Sequence, residues 1–147
     1  MDAHSNIAQE LFRKNRVLGQ ALIYTPAAGG SDSDTDGMTD TWETTYFGNL
    51  AQTATGDFDN DGTNNLTEFR LGLIPNSGSS LFATTRSSAG LLTWPSVTGV
   101  TFRIERSTTL GSWTTLENAF PGTAGTASYT DPSPPANEAF YRIGLNP

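Results

Sequence analysis

The sequence predicts a mostly β fold with a small α part. Three observations carry this. From Leu81 onward, short β-branched and aromatic runs show period two and are separated by turn residues. In the middle, two acidic twelve-residue loops are each followed by a short apolar run of helical character. Only in residues 1–25 do apolar residues recur at helical spacing over several turns. At 147 residues the chain fits one ordinary domain or two small ones. The expected units are residues 1–25, 31–73 and 81–147.

The first unit is expected to be a helix from about Asn6 to about Gln20. Ile7, Leu11, Phe12, Leu18 and Leu22 give the spacing, and Ser5 is the N-cap candidate. Such a helix packs on the body or on a neighbouring domain. Arg13, Lys14 and Arg16 leave open an assembly or membrane-surface role. Pro26 to Ser31 and Ile74 to Ser80 are turn-rich linkers.

The last unit reads as a small antiparallel β-sandwich. Leu91–Trp94, Val100–Glu105, Ser112–Leu116 and Ala139–Ile143 are the strand candidates. Turns are expected at Pro95–Gly99, Leu110-Gly111, Pro121–Gly125 and Pro132–Ala136. Arg103 and Glu105 share a polar face and are placed to pair with Arg142. Trp94, Trp113, Phe140 and Tyr141 are read first as core, with a sugar-stacking platform as the alternative. Of these, Trp113 is the best placed for exposure, just after a turn. Glu117 and Glu138 can be considered as a glycosidase pair, but nothing in the sequence orients them together.

Composition narrows the chemistry. There is no cysteine, so disulfides, thiol nucleophiles and thiolate metal sites are excluded. The single histidine, His4, sits at the start, which argues against a Ser-His-Asp triad or a multi-histidine metal site. No run of 18 apolar residues is present, so no membrane span is expected. Residues 1–20 hold no apolar stretch of the secretory-signal type. The net charge of −7 is concentrated: nine of the 15 acids lie between Asp32 and Glu68, with no Lys or Arg among them. That concentration argues against nucleic acid and for something cationic at the acidic centre.

Asp32-Ser33-Asp34-Thr35-Asp36-Gly37-Met38-Thr39-Asp40-Thr41-Trp42-Glu43 fits the calcium-loop pattern D-x-[DN]-x-[DN]-G-x5-E, and Asp57 to Glu68 fits it again. Calcium takes six to eight oxygens at about 2.3–2.6 Å, and the spacing delivers them. Positions 1, 3 and 5 supply carboxylates, and glycine at position 6 permits the turn that brings the position 7 carbonyl inward. Position 9 usually acts through water, and Glu at position 12 closes the shell. The expected ligands are Asp32, Asp34, Asp36, the Met38 carbonyl, Asp40 and Glu43 for one ion. For the other they are Asp57, Asp59, Asp61, the Thr63 carbonyl, Asn65 and Glu68. The cofactor expected is thus Ca²⁺, two ions. Magnesium, which prefers a smaller octahedral shell and keeps its waters, fits less well.

A calcium sensor that opens on binding is poorly supported. The Pro- and Gly-rich segment before Asp32 cannot supply an entering helix. Asn49 to Gly56 is weakly helical, and position 8 is polar in both loops (Thr39 and Asn64). Only exiting helices are expected, stopped by Gly48 and Gly72. Calcium then acts as a staple in a module without disulfides.

Asp32–Glu43 and Asp57–Glu68 resemble the loops of bacterial thrombospondin type 3 repeats and dockerins. Dockerins usually end the loop with Asp, so Glu43 and Glu68 favour the thrombospondin type 3-like comparison. Asp61-Gly62-Thr63-Asn64-Asn65-Leu66-Thr67-Glu68-Phe69-Arg70-Leu71-Gly72 is similar to segments near the C-termini of large secreted bacterial proteins. There a Gly-Thr-Asp-Pro motif commonly follows; here it is Gly72-Leu73-Ile74-Pro75, without the Asp. Leu92-Thr93-Trp94, Thr101–Ser107 and Phe140–Ile143 look like strands B, C and F of a fibronectin type III-like domain, with Tyr141 as its corner tyrosine. The resemblance spans residues 32–147. It implies a non-catalytic, calcium-binding structural or adhesion module, extracellular or at the cell surface. The partners expected are a protein or a second copy of the chain, with a glycan as a further option, and neither nucleic acid nor a membrane. The alternatives are a dockerin-like docking module, a carbohydrate-binding module and a self-assembling surface subunit.

Overall fold

A computed structural model describes residues 30–147. The expected N-terminal helix lies outside the described residues. Two short helices come first: α1 (Asp40–Phe47) and α2 (Asn65–Leu71). Six strands follow: β1 (Thr85–Arg86), β2 (Leu91–Ser96), β3 (Thr101–Ser107), β4 (Thr114–Pro121), β5 (Gly125–Thr130) and β6 (Phe140–Leu145).

Each helix is cut short by the glycine expected to stop it. Gly48 (φ 76°) and Gly72 (φ 65°) adopt the left-handed conformation, where a side chain is disfavoured. The Gly48 N–H closes α1 on the Thr44 carbonyl at 3.1 Å, and the Leu73 N–H returns to Glu68 at 2.8 Å. Asn64 caps α2, its side chain accepting the Thr67 N–H at 2.8 Å. Asn49 to Gly56 forms no helix, so the second loop has no entering one; the segment before Gly30, ahead of the first loop, lies outside the described residues.

The strands form two antiparallel three-stranded sheets, ordered β1-β2-β5 and β4-β3-β6. The chain changes sheet after β2, β4 and β5. Gly122 makes the second change possible: a Cβ there would lie 2.2 Å from the Val97 carbonyl oxygen. Side chains of both sheets meet in one apolar cluster. Leu92, Trp94 and Ala127 come from the first sheet, and Phe102 and Ile104 from the second. Trp94 meets Phe102 edge-on at 5.6 Å and Phe120 at 5.7 Å. A second cluster of Met38, Trp42 and Phe69 lies between the helices, with the Trp42 ring 5.3 Å from both Phe47 and Phe69.

Several boundaries differ from expectation. Pro95 and Ser96, expected in a turn, continue β2 against Thr126 and Gly125. Pro95 lies beyond the end of β1, where β2 is an edge on that side, and an edge tolerates a residue with no N–H. β4 begins two residues later than expected and runs to Pro121. Its pairing with β3 shifts twice, each time leaving an extra residue on β4. Such bulges blur period two. β5 was not foreseen, because only Ala127, 1% exposed, points a fully buried side chain into the core. β1, two residues long, carries no pattern at all.

Glu105 pairs with Arg142 as expected, at 2.6 Å, and with Arg103 at 3.5 Å. Arg142 also covers one face of Trp113, its guanidinium carbon 4.3 Å from the ring centroid. Tyr141 donates to Asp131 Oδ2 at 3.0 Å, a side-chain partner rather than the backbone one of a corner tyrosine.

Candidate metal centres

The two acidic loops fold alike, residue for residue. Position 1 gathers backbone donors. Asp32 Oδ1 accepts from Asp36 N–H at 3.2 Å and Oδ2 from Gly37 N–H at 3.0 Å. Asp57 accepts from Asp61 and Gly62 at 3.2 and 2.9 Å. Position 5 accepts from the N–H of position 7: Asp36 from Met38 at 2.9 Å, Asp61 from Thr63 at 2.8 Å. These bonds fix one oxygen of each position 5 carboxylate and leave the other free to face the loop centre. The turn at position 6 is glycine in both, with φ 95° at Gly37 and Gly62. Position 4 is left-handed too, at Thr35 (φ 61°) and Asn60 (φ 60°). Asparagine tolerates that conformation; β-branched threonine rarely adopts it.

Each loop collects its first three acids. One oxygen each from Asp32, Asp34 and Asp36 lies within 4.8 Å of the others, and the same holds for Asp57, Asp59 and Asp61. Oxygens on one ion at about 2.3–2.6 Å can be no more than about 5 Å apart, so both triads have the span of a cation shell. These triads could hold a metal ion.

Glu43 and Glu68, at position 12, feel the charge of these triads. Both are 0% exposed, and neither oxygen of either has a hydrogen-bond partner. Asp36 Oδ2, Asp59 Oδ2 and Asp61 Oδ2 are likewise buried and unbonded. A buried charge without a donor is costly, far more so than an exposed one. Burial, reinforced by Asp34, Asp36, Asp40 and Asp32, pushes the Glu43 carboxyl up to about 7. Burial, reinforced by Asp59, Asp61 and Asp57, pushes Glu68 up to about 8. A cation at each centre would remove this penalty and satisfy the unbonded oxygens. The donor set is all oxygen, which suits a hard cation.

Position 9 behaves differently from the usual water-mediated ligand. Asp40 accepts the Ser33 N–H at 2.8 Å and the Ser33 hydroxyl at 2.7 Å. That hydroxyl, more than any other contact, holds its carboxyl below the ordinary range. Asn65, 0% exposed, accepts the Phe58 N–H at 3.2 Å and donates to the Thr53 carbonyl at 2.9 Å. In both loops the side chain at position 9 braces position 2. The brace was not read from the sequence, since the pattern specifies position 9 loosely and position 2 not at all.

No family model, no curated protein and no solved structure matches the chain. The assignment of these centres therefore rests on their chemistry.

Proposed function

We propose that this chain is a non-catalytic, calcium-stapled structural or adhesion module of an extracellular or cell-surface protein. One observation carries the reading: two buried glutamates, Glu43 and Glu68, each keep both oxygens without a hydrogen-bond donor and feel the charge of an aspartate triad. Asp32, Asp34, Asp36, Glu43 and the Met38 carbonyl would hold one ion. Asp57, Asp59, Asp61, Glu68 and the Thr63 carbonyl would hold the other. With both glutamate oxygens engaged, this gives about six of the six to eight oxygens calcium takes, leaving room for water. A bound cation supplies charge compensation and rigidity. Asp40 and Asn65 keep each loop closed around it. Magnesium would use fewer of these groups, because it keeps its own waters.

The β part reads as a fibronectin type III-like sandwich. The sharing of one core by two antiparallel sheets, Trp94 on Phe102, supports that. The glycan alternative draws less support, because Arg142 already occupies one face of Trp113.

Calorimetric titration of calcium into chelator-stripped protein, with millimolar magnesium present, tests the reading. Two sites and a large heat of coupled folding are expected. A folded chain that takes up no calcium would overturn it.

A further inference from the structure

The two loops differ in what lies behind them. In the first, position 7 is Met38, and its buried side chain goes into the cluster between the helices, with Trp42 and Phe69. The other apolar side chains of α1, Tyr46 and Phe47, pack there too. In the second loop, position 7 is Thr63, 6% exposed. Its hydroxyl accepts the Phe82 N–H at 3.0 Å, and the Phe82 ring stacks on Phe102 of the β core at 6.1 Å. A second path runs through α2. Glu68 closes the loop, and three residues on, Leu71 is 3% exposed inside the β cluster. One helical turn thus connects a ligand to the β core. The linker also passes close to the second loop, where a Cβ added at Gly78 would meet Asp61 Cβ at 3.8 Å.

Building on the calcium reading above, we propose that the loops have separate duties. The cation of the second loop sets the stability of the β part, whereas that of the first serves the helix pair alone. Thr63 and Leu71 are the positioning residues of the link. Filling the second loop fixes the Thr63 backbone and the first turn of α2, and so holds Phe82 and Leu71 in the β core. Emptying the first loop loosens Met38 and Trp42, which meet α2 through Phe69 but belong to a cluster separate from that of the sheets.

Amide hydrogen exchange on the full chain tests this, read at Trp94, Phe102 and Ile104 with and without calcium. At free calcium about 100 times the dissociation constant, a coupled core gains about 100-fold in protection. That gain should survive in Glu43→Gln and vanish in Glu68→Gln. A stepwise titration of the unaltered protein gives a second reading, independent of either variant's folding. The Gly37 and Gly62 amides donate to Asp32 and Asp57, so each reports the filling of its own loop. Core protection should follow Gly62. Protection that follows Gly37, or that both variants lose equally, overturns the separation while two calcium sites still register by calorimetry. If the unaltered protein binds no calcium, the functional reading falls and the separation with it.

Discussion

Replacing Asn65 with alanine distinguishes a brace from a ligand at position 9. The side chain is wholly buried and makes two hydrogen bonds, one to the Phe58 N–H and one to the Thr53 carbonyl. Alanine removes both and leaves both partners bereft. A buried group orphaned in this way costs about 1–3 kcal/mol. Thr53 and Phe58 are exposed residues, so water can reach part of each, and the low end applies. The expected loss is therefore about 2–3 kcal/mol, or about 10–20 °C in melting temperature for a domain near 100 residues. The loss should appear without calcium as well as with it, because the two bonds exist whether or not an ion is bound. Thermal unfolding by circular dichroism, in chelator and in excess calcium, measures both. Asp40→Ala is the matched control: its partner Ser33 is exposed, and a smaller loss is expected. A loss below about 1 kcal/mol for Asn65→Ala in chelator, with weakened calcium binding, would refute the brace and restore the ligand role.

Two further predictions concern protons. Glu43 and Glu68 titrate near 7 and 8 when no cation is bound, above their ordinary value. Their neutral forms then stabilise the calcium-free fold below about pH 4.5, and that contribution is lost as pH rises through 7 and 8. Calcium requires both ionised, so at pH 6 its binding should release about two protons, falling toward none by pH 9; calorimetry in buffers of different ionisation heat counts them. Asp131 is the opposite case. Burial raises its pKa, but the Ser133 N–H, Arg106 at 2.6 Å and Tyr141 outweigh that and hold it low. Its contribution is present above the ordinary carboxylate range and lost as pH falls below it. Asp131→Asn should therefore lower the melting temperature at neutral pH, by an amount that shrinks as pH falls below the ordinary carboxylate range, as thermal scans across pH would show.

The helix stops, the two aspartate triads and the Arg142–Glu105 pair were legible in the sequence. The first two are local devices, a glycine at a left-handed position and a fixed spacing, and the third follows from the alternating faces of two clearly patterned strands. What escaped was non-local or weakly patterned. β5 offers Gly125-Thr126-Ala127-Ser128-Tyr129-Thr130, and a single alanine cannot announce a strand. The bulges in β4 depend on β3, which lies elsewhere in the chain. The Thr63–Phe82 bond joins residues 19 apart across a linker, and no pattern in either segment foretells it. The position 9 brace escaped for a subtler reason: Asp and Asn suit a ligand as well as a hydrogen-bond acceptor.

Thr35 and Asn60 take the same left-handed turn, and this bears on how the two sites rank. By charge alone the first loop should win, with five acids against four. Holding a residue left-handed costs about 1–2 kcal/mol, and threonine lies at the dear end because its β-carbon is branched. Asparagine visits that region readily, so the second loop is better preorganised before any ion arrives. On the calcium reading proposed above, part of the first loop's binding energy would go into keeping Thr35 bent. Besides that, its fifth acid, Asp40, is committed to Ser33. On that reading, affinity is set partly by a position outside the expected ligand set, and counting carboxylates overrates the first site.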